Sequence, residues 1–200
     1  MRGAALSLRG GTRVMDINEA IAGRRSVRTY TEQPVEEPVI HRLIEAATQA
    51  PSAVNQQPYL YTVMRDPSML DRISAAAKSF MLPTVGTSPH EDHFRKMLGD
   101  PHFQIFYHAP ALILISGVTA GDWIVEDCAL AAENMMLAAY GAGLGTCWIG
   151  FAQKYLNTAE GKKMIGLSPE CVPVAPIIVG HPKAAAPSVP RNPAVVRWVG

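Results

Sequence analysis

From residue 15 onward, the period of apolar positions switches between helical and extended. Asp16 followed by Glu19 forms an N-cap pair, and Ile17, Ala20 and Ile21 make a short apolar stripe ending near Gly23. Pro38, preceded by Glu36 and Glu37, suits a first helical turn. Val39, Ile40, Leu43, Ile44, Ala47 and Ala50 then recur at helical spacing until Pro51 stops the run. The segment Tyr59–Met64 is rich in strand formers, and Asp66-Pro67 opens a further helix through about Lys78. Residues 80–100 are polar and rich in Pro and Gly, which predicts a long loop. Asp100-Pro101 restarts a short helix carrying Phe103 and Tyr107. The unbroken apolar run Ala111–Ile115 predicts a strand buried on both faces. Asp122–Tyr140 is the longest helical segment and is apolar almost all round. Gly145–Ile149 and Val172–Val179 predict two more strands with a helix near Ala159–Ile165 between them, and Ala194–Val199 predicts a last strand. Few strands among many helices point to a mixed α/β or α+β sheet covered by helices.

Composition narrows the function. The chain has 200 residues, 48% apolar and 18% charged, which suits one domain. A chain of this size buries roughly 70% of its unfolded surface and needs no metal or disulfide staple. Its 18 basic and 17 acidic residues nearly cancel. That balance argues against a dedicated nucleic-acid binder. Three scattered cysteines, Cys128, Cys147 and Cys171, lack any C-x-x-C spacing and fit a reducing, cytoplasmic setting. The first residues carry no signal peptide, and Met15 reads as a natural beginning. Residues 1–14 are therefore expected to be an extension, disordered or not native, before a single domain over 15–200. The uncharged stretch Asn134–Gln153 is interrupted by Gly141, Gly143, Gly145 and Gly150, so core or subunit-interface burial explains it better than a membrane span.

Two clusters carry chemistry. Arg24-Arg25-Ser26-Val27-Arg28 sets three guanidinium groups beside a hydroxyl directly after a helix end, a donor set suited to phosphate. Pro51-Ser52-Ala53-Val54-Asn55-Gln56-Gln57-Pro58 is a turn-rich segment between a helix and a strand. Its amides offer donors and acceptors together, as needed to read the edge of a heterocycle. Each cluster alone also fits a plainer description, a solvated basic turn and an ordinary loop.

Together they resemble the FMN-dependent nitroreductase family. The resemblance covers Ile17–Arg28, Pro34-Val35 and Ala50–Pro58. It resumes at Asp127–Ala139 and Gly143–Gly150, then closes with Val174–Pro182 and Arg191, so about residues 16–195 match in order. It implies that Arg24, Ser26 and Arg25 hold the FMN phosphate and that Arg28 lies near the N1 and C2 side of the flavin ring. A fixed cation there would favour the reduced ring. Pro51, Ser52, Ala53, Asn55 and Gln57 would line the ring from the partner subunit. The backbone of Trp148, Ile149 and Gly150 would face it, with a donor to N5. Arg191 would return to the phosphate, with Lys183 as a substitute. The implied architecture is the α+β nitroreductase-like fold, a small mixed β-sheet wrapped by helices in an intertwined homodimer, with Asp122–Tyr140 as the dimer helix and a tail after His181 embracing the partner. The implied chemistry is ping-pong hydride transfer through flavin N5, from NADH or NADPH to a nitroaromatic, quinone or similar small aromatic acceptor, with no catalytic side chain required. Relatives with the same fold include reductive dehalogenases, enone reductases and flavin-consuming enzymes, and a non-catalytic FMN-binding protein is the reading from another class.

Other patterns carry less. His90-Glu91-Asp92-His93 lacks the helical spacing of a metal motif. Gly141-Ala142-Gly143-Leu144-Gly145 has Thr146 at the final glycine position and a helix, not a strand, before it, so it is no dinucleotide fingerprint. Cys147 has no partner nearby in sequence and reads as a packed thiol.

Overall fold

In the computed structural model, residues 15–86 and 88–200 are described. The expected extension over 1–14 lies outside them. The helices are α1 (Ile17–Gly23), α2 (Glu37–Thr48), α3 (Pro67–Met81), α4 (Pro89–Gly99), α5 (Ile124–Gly141), α6 (Gly150–Leu156) and α7 (Ala159–Met164). The strands are β1 (Tyr59–Met64), β2 (Ala111–Gly117), β3 (Gly145–Trp148) and β4 (Val172–Gly180). They form one sheet in the order β1-β2-β4-β3.

The sheet sits between two helical layers because its central strands are apolar on both faces. Along β2, Ala111, Ile113 and Ile115 pack with α2 and α5, whereas Leu112 and Leu114 pack with α3, α6 and the fully buried Ile105 and Phe106. Each fully buried Leu or Ile stabilises the fold by about 1.5–3 kcal/mol. Helix α1 starts with the expected capping box at Asp16 and Glu19, and α3 is capped by Asp66. After α5, Gly143 adopts φ 75°, the left-handed turn that lets the chain reverse into β3. Among the described residues, no helix is long and apolar enough to cross a membrane.

Several expectations change. All three ladders are antiparallel, and the parallel component of the expected mixed sheet is a single bridge between Ser26 and Thr146. The expected loop over 80–100 contains α4, launched by a capping box of Ser88 with Glu91. Its polar composition hid a helix whose exposed side is simply charged. Phe103 and Tyr107 lie outside any helix, and Tyr107 is in a turn where it and His108 take φ of 54° and 52°. Helix α6 follows β3 directly, where a strand end alone was expected. Ala194–Val199 is exposed and forms no strand, having no neighbouring strand to pair with in this chain.

A Cβ at Gly145 would lie 2.7 Å from Val27 Cβ, so Gly145→Ala should destabilise the fold by about 1–3 kcal/mol through overpacking. Val27→Ala in the same chain should recover part of that loss. Urea unfolding of both single variants and the double variant measures the coupling.

Candidate functional site

The basic cluster is held by backbone pairing at the β3 edge of the sheet. Ser26 bridges Thr146, and the Val27 amide donates to the Thr146 carbonyl at 2.9 Å. Val27 itself is buried, which turns its neighbours Ser26 and Arg28 outward. The chain leaving β4 then zips onto the same segment. The Thr31 amide donates to the His181 carbonyl at 2.8 Å, and the Lys183 amide donates to the Thr29 carbonyl at 3.1 Å. That pairing delivers the tail across the cluster.

The result is a cleft of about 650 Å³ with Arg24, Arg25, Ser26, Arg28 and Thr29 on one wall and Ala184–Pro187, Val189 and Arg191 on the other. Arg24, Arg25, Ser26, Arg28 and Arg191 are thus brought together, although more than 160 residues separate the two groups in sequence. No carboxylate lines the cleft among the described residues. Arg25 Nη1 donates to the Ala22 and Arg24 carbonyls at 2.7 Å, closing the end of α1. Arg24 Nε lies 3.5 Å from Glu133 Oε1, within ion-pair range but without hydrogen-bond geometry. Arg24 Nε and Arg25 Nε are both buried without a hydrogen-bond partner. Buried donors without an acceptor are costly, and for Arg24 Nε the Glu133 carboxylate offsets part of that cost. Lys183 is exposed and does not line the cleft.

Beneath the cluster, Cys147 and Tyr30 are buried. Burial raises the Cys147 thiol, and Arg28, Ser26 and Arg24 only partly offset this. Burial likewise raises the Tyr30 phenol, whose hydroxyl donates to the Val27 carbonyl at 2.6 Å. Neither group supplies negative charge beneath the cluster, and the compensation it receives comes from Glu133 beside Arg24.

The second cluster forms a strained loop elsewhere. Val54, Asn55 and Gln57 have φ of 44°, 56° and 49°, a conformation that a β-branched residue such as Val54 rarely takes. The loop is held from several sides. The Ala53 amide donates to Asp127 Oδ1 at 3.0 Å, the Gln57 amide to Ser52 Oγ at 2.9 Å and the Tyr59 hydroxyl to the Pro51 carbonyl at 3.2 Å. Gln57 Nε2 donates to Asn55 Oδ1 at 2.8 Å. Pro51, Asn55 and Gln57 remain exposed.

These residues do not reach the arginine cleft of the same chain. The loop leads into edge strand β1, whereas the cluster runs along β3 at the opposite edge. Three strand spacings, roughly 14 Å, separate the two edges. Trp148, Ile149 and Gly150 stand nearer, at the end of β3, and Ile149 shares a core with Val27 and Cys147. They too lie outside the cleft lining. The Ile149 amide is committed to the Pro176 carbonyl at 2.8 Å, so it is not a free donor.

Two contributors were not expected from sequence. Asp127 is buried on α5 and anchors the 51–57 loop, and nothing in the sequence sets it apart from Glu126 and Glu133 on the same helix. Tyr107 presents its ring to Arg28, whose Cζ lies 5.9 Å from the ring centroid. Nothing in sequence spacing joins those two positions.

Comparison with known proteins places this geometry. The model of the nitroreductase family matches residues 21–181. A protein of Methanothermobacter thermautotrophicus, named for NADH dehydrogenase and NAD(P)H nitroreductase activity, is 30% identical over 174 residues, covering 84% of this chain and 78% of its own. An FMN reductase (NADPH) of Bacillus subtilis is 28% identical over 182 residues, covering 88% of this chain and 69% of its own. The crystal structure of a nitroreductase with bound FMN from Bacteroides fragilis superposes with a TM-score of 0.80 at 23% identity, covering 93% of this chain and all of that one.

Asp127→Ala removes the acceptor for the Ala53 amide and should cost about 1–3 kcal/mol, whereas Asp127→Asn, which keeps an oxygen there, should cost less. Thermal unfolding distinguishes them. Burial, with Asp127 adding to it, pushes the Cys128 thiol up to about 12. At about pH 8 it stays protonated and should resist disulfide-exchange reagents until the protein is unfolded. Mass spectrometry of labelled peptides reads this directly.

Proposed function

The chain belongs to the nitroreductase family, and from that premise we propose that it is an FMN-dependent NAD(P)H oxidoreductase acting as a homodimer. The observation that carries the proposal is the arginine cleft. Four guanidinium groups and a serine hydroxyl line one cleft, and no carboxylate lines it among the described residues. An FMN phosphate suits that donor set. Arg24, Ser26 and Arg191 bind it on this reading, and Arg25, with Nη1 already committed to backbone, contributes its remaining donors.

Arg28, at the far end of the cluster, is assigned to the flavin ring. Its charge has no carboxylate partner among the described residues, so it remains available to stabilise negative charge on a reduced ring. When bound, FMN supplies a hydride acceptor and donor at N5, serving NADH or NADPH and then a nitroaromatic, quinone or similar acceptor in turn. The chain provides binding, orientation and electrostatics. Since Ile149 has spent its amide, Gly150, at the head of α6, takes the backbone-donor role toward the ring.

The width of the sheet favours a homodimer. One ring cannot touch both sheet edges of one chain, so Pro51, Ser52, Ala53, Asn55 and Gln57 are assigned to the site of the partner subunit. Ile17 and Ile21 on α1, Val125 and Leu130 on α5, and Val195 and Trp198 in the tail are large, exposed apolar residues that such a partner would cover. Helix α1 packs on α5, which places the first four on neighbouring elements.

Purified protein should bind FMN, sediment as a dimer and lose its yellow colour when mixed anaerobically with NADH or NADPH. Colour that neither nucleotide bleaches would sink the oxidoreductase reading, and failure to bind FMN would remove the cofactor. Arg24→Ala should weaken FMN binding by on the order of tenfold or more, the loss expected of a charge-assisted hydrogen bond. Arg28→Ala should lower the flavin potential more than it weakens binding. Equal effects of both substitutions on both quantities would contradict the roles assigned.

A further inference from the structure

Tyr107 and His108 are consecutive non-glycine residues in the left-handed region, with φ of 54° and 52°. Such strain persists only where the surroundings over-determine it. Here the side chain of Gln104 folds back on the turn, its Oε1 accepting from the Phe106 amide at 2.7 Å and the His108 amide at 3.3 Å. The Tyr107 amide donates to the Gln104 carbonyl at 2.9 Å, and buried Ser74 Oγ accepts from the Ile105 amide at 3.0 Å. Ile105 and Phe106 are fully buried, which pins the turn to the core. Phe103 meets the Tyr107 ring edge-on at 5.6 Å. Everything around the turn therefore fixes one outcome, the ring of Tyr107 beside the guanidinium of Arg28.

Arg28 needs such a partner. Its backbone is anchored through Val27, but its side chain is exposed and carries several free torsions. A carboxylate would hold it firmly and also cancel its charge. An aromatic face attracts a guanidinium through its quadrupole and leaves the full charge in place. Burial raises the Tyr107 phenol by more than the charge and hydrogen bonding of Arg28 lower it, so Tyr107 does not become an anion that would neutralise Arg28.

We propose that Tyr107 is a positioning residue that holds the Arg28 guanidinium toward the cleft without neutralising it, and so sets how strongly the bound flavin prefers its reduced form. The inference rests on the assignment of Arg28 to the flavin ring. It gives the strained 104–109 turn a purpose that packing alone does not require.

The test measures the dissociation constants of oxidised and reduced FMN on the full-length protein. Tyr107→Leu should weaken binding of reduced FMN relative to oxidised FMN by about two- to fivefold, the size of an exposed cation–π contact. Tyr107→Phe, which keeps the ring, should stay near the parent. In an Arg28→Ala background, Tyr107→Leu should add nothing. If Tyr107→Leu fails to fold, the same change is made together with His108→Gly, which relieves one left-handed residue. A preference unchanged by Tyr107→Leu while Arg28→Ala shifts it overturns this inference alone. So does an equal shift in the presence and absence of Arg28. A preference unchanged by Arg28→Ala overturns the ring assignment of Arg28, and this inference with it.

Discussion

Three arginines within five residues repel one another, and they stay on one wall only because their backbone is fixed by something else. That constraint is the pairing of residues 26–31 with β3 on one side and residues 181–183 on the other. Val27 is its keystone. Its amide is bonded to Thr146, its carbonyl accepts from the Tyr30 hydroxyl, and its side chain fills the space that Gly145 leaves open. Once Val27 points inward, Ser26 and Arg28 must point outward, since neighbours in extended chain alternate sides. The antiparallel bridge between Tyr30 and Pro182 then carries the tail over the same wall, and Arg191 arrives from the opposite end of the chain.

Strain is distributed in the same economical manner. Among the described residues, the five non-glycine residues with left-handed φ fall in two loops, Val54, Asn55 and Gln57 in one and Tyr107 and His108 in the other. Both loops are braced by side-chain acceptors from within or from helices behind them, Asp127 and Ser52 for the first, Gln104 and Ser74 for the second. Rigid loops with exposed polar or aromatic groups suit a cofactor that must be held without reorganisation.

Legibility in the sequence followed the strength of each local signal. The α2, α5 and β2 segments carry long periodic or unbroken apolar patterns, and all three elements lie where those patterns place them. The arginine cluster and the 51–57 loop were visible because unusual residue types crowd into short stretches. What stayed hidden depended on distant contacts. Helix α4 is polar on its exposed side, and its signal lay only in the Ser88 and Glu91 cap. The loss of Ile149 as a donor follows from Pro176 on another strand, and the pairing of Arg28 with Tyr107 joins positions almost 80 residues apart. The strand expected at Ala194–Val199 has β-formers but no neighbour in the chain, and propensity without a partner does not make a strand.

The missing neighbour bears on the energetics of the proposed dimer. If the 51–57 loop serves the site of a second copy, cofactor binding and subunit association share residues, and each must strengthen the other by the same factor. The cleft adds a reason for the sign. Four guanidinium groups line one cleft and repel one another, and no carboxylate lines it among the described residues. On the proposed reading a phosphate bound there relieves that repulsion, and at a thousandfold excess over its dissociation constant a ligand stabilises the folded state by about 4.1 kcal/mol. On that reading the stability of the site depends on chain, partner and cofactor together.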